Sequence, residues 1–123
     1  MKLRTPAALL VVETPAILRS GNWFETLVTV EPTEDVADLT IALDQPLWRA
    51  MSIDTLAPDA EKSEAKDGTF SYSFGPLRRG QRFVLKLDGQ IQPRGFRVLR
   101  GRVAASDCDR PLAAVALSTK VLP

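Results

Sequence analysis

The chain lacks histidine altogether and has one cysteine among its 123 residues. Histidine is the commonest general base and the commonest metal ligand near neutral pH, so its absence disfavours much hydrolytic and metal-dependent chemistry. One cysteine cannot close an intramolecular disulfide or build a zinc site from thiolates. The sequence therefore predicts a protein without a metal centre, without a cofactor and without catalytic activity.

Long apolar runs are lacking as well. The run from Ala7 to Val12 is six residues long and ends at Glu13. A signal peptide needs roughly 7 to 15 apolar residues and a membrane span about 20, so we interpret this run as a first strand. A periplasmic or cell-envelope location is favoured if an upstream signal or anchor was removed, and a cytoplasmic one otherwise.

Apolar and polar residues alternate along most of the chain, which is typical of strands with one buried face. The clearest example places Phe70, Tyr72 and Phe74 on one face and serines on the other. Gly, Pro, Asn and Asp separate the alternating runs and predict turns between them. We expect a single domain over residues 1–123: an immunoglobulin-like antiparallel β-sandwich of seven or eight strands, with a small β-barrel as the alternative.

Residues 59–66 are rich in Ala, Glu and Lys but have no apolar stripe. A helix without an apolar face has nothing to bury, so we expect at most one solvated turn there, or a loop.

The second half of the chain carries a glycine-flanked step into an apolar strand, then a glycine turn and a valine-alternating hairpin. The stretches involved are 75–81, 83–87, Gly89, 99–106 and 113–121. Over roughly residues 68–121 this pattern resembles bacterial immunoglobulin-like repeats of envelope and secreted proteins. The resemblance implies a sandwich that serves as a spacer or a binding module and brings no catalytic residues with it.

Charge is strongly segregated along the chain, although the formal total is only +1. Residues 31–67 contain ten acidic and three basic side chains, a net charge of −7, whereas residues 78–102 contain eight basic and one acidic, a net charge of +7. Three interpretations remain open. The segments could neutralise each other across strands, form an Arg-rich face for an acidic partner, or pair between copies of the chain.

The candidate binding residues are those arginines that a partner's carboxylates or phosphates could pair with. They are Arg78, Arg79, Arg82, Arg100 and Arg102. Nucleic acid is disfavoured because the pI near 7.9 is not strongly basic and few aromatics stand between the arginines.

Trp48 and Arg49 complete the candidate binding set, because Trp and Arg are enriched at interaction hot spots. The competing interpretation is that Trp48 belongs to the core, and the same interpretation applies to Trp23. A carbohydrate-binding module would need an exposed, coplanar aromatic pair. It remains the main alternative function, ahead of a small hydrolase that uses two carboxylates.

Asp107, Cys108 and Asp109 lie in a predicted hairpin turn. A calcium loop would need a regular glycine and a later bidentate glutamate, which are missing, so we expect a solvated tip. Cys108 has no histidine to activate it and is expected to be a bystander, with Arg110 lowering its pKa modestly. Together these features favour a non-catalytic interaction or structural module.

Overall fold

The computed structural model describes residues 1–19, 21–44, 46–49, 51–91 and 96–122. The described residues form eleven strands and one short helix. In chain order the elements are β1 (Lys2–Arg4), β2 (Ala8–Glu13), β3 (Ile17–Arg19), β4 (Trp23–Pro32), β5 (Val36–Asp44), α1 (Pro46–Arg49), β6 (Met51–Ala57), β7 (Lys62–Lys66), β8 (Thr69–Leu77), β9 (Phe83–Ile91), β10 (Arg97–Asp107) and β11 (Arg110–Leu122).

The strands assemble into two sheets that share one apolar core. The five-stranded sheet has the order β1-β2-β4-β9-β6, and the six-stranded sheet has the order β3-β11-β10-β5-β8-β7. Strands β3 and β11 are parallel, and the other recorded pairings are antiparallel. The predicted β-sandwich is confirmed. The barrel alternative is wrong, because each sheet keeps its own pair of edges.

Eleven strands were found where seven or eight were expected, and the additions include short edge strands. The turn or loop expected over 59–66 is wrong for Lys62–Lys66, which pairs with β8 as the edge strand β7. All five of its side chains are exposed. An edge strand gains backbone hydrogen bonds on one side without burying a face, so it needs no apolar alternation.

Alternation places the core where the sequence predicts it. In β5, Leu39, Ile41 and Leu43 are buried while the residues between them face outward. In β9, Leu85 and Leu87 are buried in the same manner. Each such side chain contributes about 1.5–3 kcal/mol when it is removed from water, so these strands stabilise the sandwich chiefly through their inner faces.

Helix α1 connects the six-stranded sheet to the five-stranded sheet and packs on β10. Leu47 and Trp48 are both buried. The indole Nε1 of Trp48 donates a hydrogen bond to the carbonyl oxygen of Arg102 at 3.1 Å. A Cβ at Gly101 would lie 2.9 Å from Leu47 Cδ2 and 3.0 Å from Trp48 Nε1. Glycine at this position lets the helix approach the strand closely.

Candidate functional site

Ion pairs between neighbouring strands neutralise part of the segregated charge. Arg82 Nε lies 2.8 Å from Glu31 Oε1, and Lys86 Nζ lies 3.2 Å from Glu25 Oε2. Arg102 Nη1 lies 3.6 Å from Asp44 Oδ2, between β10 and β5. The first interpretation of the charge pattern, cross-strand neutralisation, thus accounts for Arg82 and Arg102.

Lys86 shows the electrostatic consequence of such pairing. The hydrogen bond to Glu25, with the negative charges of Asp88 and Glu25, raises the pKa of the Lys86 ammonium. The side chains involved are substantially exposed, so solvent screens these attractions and they contribute little to stability. These pairs place opposite charges next to each other on neighbouring strands.

The five candidate arginines do not form one face. Strand β5 pairs with β8 at Val36 and Leu77 and with β10 at Asp44 and Arg102. The eight residue steps from Val36 to Asp44 span roughly 26 Å at about 3.3 Å per residue. The arginines therefore divide into two groups at opposite ends of the sandwich: Arg78, Arg79 and Arg82 at one end, and Arg100 and Arg102 at the other.

The turn that carries Arg78 and Arg79 is fixed through its backbone. The Arg78 N–H donates to the side-chain oxygen of Gln81 at 3.1 Å, and the Arg79 N–H donates to Asp35 Oδ1 at 2.9 Å. The Gly80 N–H donates to the Pro32 carbonyl at 2.8 Å. Both arginine side chains are exposed and form no ion pair within the described residues.

A second group of exposed side chains lies on the outer face of the six-stranded sheet, at the opposite end. Lys120 of β11 pairs with Ile17 of β3 on one side and with Val98 of β10 on the other. One step along the same face, Arg100 pairs with Ser118. Ile17 is 60% exposed and Val98 is 54% exposed, and these two apolar side chains flank Lys120 on either side.

Ile17, Val98, Arg100 and Lys120 are called the basic patch below. Among the residues that the structure describes, no acidic side chain forms an ion pair with Arg100 or Lys120. Phe96 is also exposed, directly before β10 begins. Exposed apolar groups bordered by unpaired cations are typical of a surface that another molecule covers.

Of the basic patch, the sequence interpretation named only Arg100. The outward position of Val98 can be predicted from the alternation, because burial of Leu99, Gly101 and Val103 points Val98 outward beside Arg100. The positions of Ile17 and Lys120 cannot be predicted in this way, since the pairing that joins them links strands about a hundred residues apart in the chain.

Trp48 cannot contribute to a contact surface, because its ring is fully buried against β10. The core interpretation of Trp48 is confirmed, and its place in the candidate binding set is wrong. The side chain of Arg49 lies outside the described residues. One helical turn, α1, buries both Leu47 and Trp48.

Trp23 has the opposite outcome. It was expected in the core, but its ring is 64% exposed at the start of β4, on the outer face of the five-stranded sheet. Phe24 and Thr26 occupy the inner positions of the same strand. With Trp48 buried, the two tryptophans do not form the coplanar pair that a sugar-binding platform needs.

The predicted hairpin tip is confirmed at Asp107–Asp109, which connects β10 to β11. Asp107 Oδ1 accepts hydrogen bonds from the backbone N–H groups of Ala37 and Asp38 at 3.2 and 3.1 Å, and Arg110 Nη2 lies 3.4 Å from Asp107 Oδ2. Asp107 thus ties the hairpin to β5. In the described part of the chain no group of three or more His, Cys, Asp or Glu side chains could hold a metal ion.

The thiol of Cys108 is exposed at this tip. Desolvation, followed by the negative charges of Asp107, Asp38 and Asp109, raises its pKa. The expected lowering of this pKa by Arg110 is wrong, because carboxylates dominate the surroundings of the thiol and Arg110 pairs with Asp107. The thiol is therefore mostly protonated near neutral pH, when it is least nucleophilic.

No family model matches this chain, and no curated sequence matches it. Solved structures do match. A cohesin module from a family 33 glycoside hydrolase of Clostridium perfringens gives a TM-score of 0.62 at 13% identity, covering 96% of this chain and 98% of that one. The chain is similar in fold to cohesin modules. At this identity the likeness concerns the fold alone.

Two further structures support that likeness. The CARDB domain of a Pyrococcus furiosus protein, solved in complex with di-metal ions, gives a TM-score of 0.60 at 12% identity, with 98% of this chain and 93% of that one covered. CaCohA2 of Clostridium acetobutylicum, solved in complex with CaDoc0917, gives 0.58 at 12% identity, with coverages of 92% and 98%. No helix among the described residues is long and apolar enough to cross a membrane.

Proposed function

We propose that the chain is a non-catalytic protein-interaction module that binds an acidic polypeptide through the basic patch. The observation that carries this proposal is the patch itself, in which Arg100 and Lys120 have no acidic ion-pair partner among the described residues and lie beside exposed Ile17 and Val98. Apolar contact supplies affinity, and the two cations select carboxylates and orient the partner.

The fold supports a binding role. CaCohA2, a protein of similar fold, was solved in complex with CaDoc0917. A sandwich holds the patch on paired strands, so little order has to be gained when a partner binds, and a rigid surface loses less entropy on association. The absence of histidine from the sequence is consistent with binding rather than catalysis.

Charge reversal at Arg100 tests the proposal. We expect Arg100→Glu to weaken the binding of a poly-L-glutamate peptide by at least about tenfold, because the new carboxylate repels the ligand where the guanidinium attracted it. Titration calorimetry on the full chain measures the affinity. Arg78→Glu is the matched control, since it makes the same charge change on an exposed arginine at the opposite end of the sandwich.

Arg78→Glu should change the affinity by no more than about twofold. An equal loss in both variants would show that net charge rather than the patch attracts the peptide. Binding of anionic vesicles or of a β-glucan, with no binding of poly-L-glutamate, would overturn the proposal in favour of a membrane or a carbohydrate ligand.

A further inference from the structure

The outer face of the six-stranded sheet carries the basic patch at one end. Toward its other end the same face carries a groove. Its floor consists of small side chains on β5, β8 and β10: Thr40, Ala42, Ser71, Ser73 and Ser106. Strand β7 borders it on one side and the Asp107–Asp109 tip on another. The groove has a volume of about 500 Å³, enough to receive several side chains of a partner.

The groove is acidic where the patch is basic. Asp38, Glu64 and Asp109 line it together with one cation, Lys62, so the lining has a net charge of −2. The patch contributes +2 through Arg100 and Lys120. The raised pKa of Cys108, which also lines the groove, agrees with a negative local field. The groove is called the acidic groove below.

Shape follows the same division as charge. The basic patch presents large side chains, with Ile17, Val98 and Arg100 standing out from the sheet. The acidic groove presents Ser, Thr and Ala, so its floor lies lower between its borders. Between the two regions the outward positions hold Ala104, Ala114 and Ala116, together with Arg102, whose charge is paired with Asp44 of β5.

In a face-to-face dimer, a two-fold axis that lies between the two facing sheets would relate one copy to the other. If the axis is perpendicular to the line that joins the two regions, the basic patch of each copy faces the acidic groove of the other. Such an isologous contact closes on itself and forms the patch-to-groove contact twice, once in each direction. A two-fold axis parallel to that line would place basic patch on basic patch, which like charges disfavour.

The size of the face is sufficient for a dimer, with little to spare. Six strands about 4.8 Å apart are about 24 Å wide, and a nine-residue strand is about 30 Å long. The face therefore covers roughly 700 Å², close to the about 800 Å² per partner of a standard interface. Nearly the whole face must be covered for stable association, so both regions have to engage at once.

We infer that the acidic partner of the basic patch is a second copy of this chain, bound face to face through the six-stranded sheet. This inference rests on the proposed function, because it names the acidic polypeptide that the basic patch binds. Each copy then contributes the basic patch to one contact and the acidic groove to the other.

Complementary charge reversals test the inference on the full chain. We expect Arg100→Glu and Glu64→Arg each to lower the self-association constant at least about tenfold, measured by sedimentation equilibrium. Mixing the two variants should restore association to within about threefold of wild type, because one contact is then native and the other has both charges exchanged. Glu64 lies on the exposed edge strand β7, so folding is expected to tolerate its replacement, and circular dichroism checks both variants.

The outcomes separate the inference from the proposed function. Two monomeric variants that stay monomeric when mixed would overturn the dimer. A monomeric wild-type chain that still binds poly-L-glutamate through Arg100 would also overturn the dimer but leave the proposed function standing. A wild-type chain that neither self-associates nor binds poly-L-glutamate would overturn both. Arg78→Glu is the control: it leaves the basic patch and the acidic groove intact, so it should self-associate like the wild type, and adding it should not rescue Glu64→Arg as Arg100→Glu does.

Discussion

Replacing Trp48 with alanine is expected to lower the free energy of unfolding by about 3–5 kcal/mol. The ring is fully buried, its Nε1 donates to the Arg102 carbonyl at 3.1 Å, and its removal leaves a cavity between α1 and β10. A domain of this size has a total stability of roughly 5–15 kcal/mol, so the loss is a large part of it. Urea denaturation followed by circular dichroism measures the change.

The second tryptophan provides a matched control. Trp23→Ala removes the same side chain from an exposed position on β4, so we expect the free energy of unfolding to change by no more than about 0.5 kcal/mol. Trp48→Phe keeps an aromatic ring but removes the indole donor, and should fall between the two. Comparable losses for Trp23→Ala and Trp48→Ala would contradict the placement of the two rings.

Self-association is expected to weaken steeply with salt. Between about 0.1 M and about 1 M NaCl the Debye length falls from about 10 Å to about 3 Å, and the association constant should fall at least about tenfold. The reason is that Arg100 and Lys120 face carboxylates across a solvent-accessible contact, where mobile ions screen the attraction. Sedimentation equilibrium at a series of salt concentrations measures the effect.

Arg100→Glu serves as the control for the salt series. Because this variant places like charges across the contact, any residual association should stay constant or strengthen as salt is added. Association of the wild-type chain that is unaffected by salt would assign the contact to apolar burial alone, and the charge complementarity would then have no part in it.

The sequence predicted the sandwich because alternation is a local property. Burial of Leu39, Ile41 and Leu43 follows from a period of two residues and needs no knowledge of the partner strand. The same rule would have placed Trp23 outward, since Phe24 and Thr26 take the inner positions of β4. The general tendency of tryptophan to lie in cores points the other way, and at this position the local pattern is the better guide.

The candidate site could be predicted only in part. The cluster from Arg78 to Arg102 looks continuous in the chain, but β9 lies in one sheet and β10 in the other. Arginines that are close in the chain therefore lie far apart in the fold. The partners that complete the patch, Ile17 and Lys120, come from a parallel pairing between distant segments, which depends on the tertiary fold rather than on any local pattern.

The central claim is that the outer face of the six-stranded sheet is the surface through which this chain associates. Hydroxyl-radical footprinting across a protein-concentration series tests it most directly, because each face carries its own exposed reporters. The account predicts that oxidation of Ile17 and Val98 falls as the chain associates, while Trp23 and Val84 on the five-stranded sheet remain fully reactive. Protection of Trp23 and Val84, with Ile17 and Val98 unchanged, would contradict it.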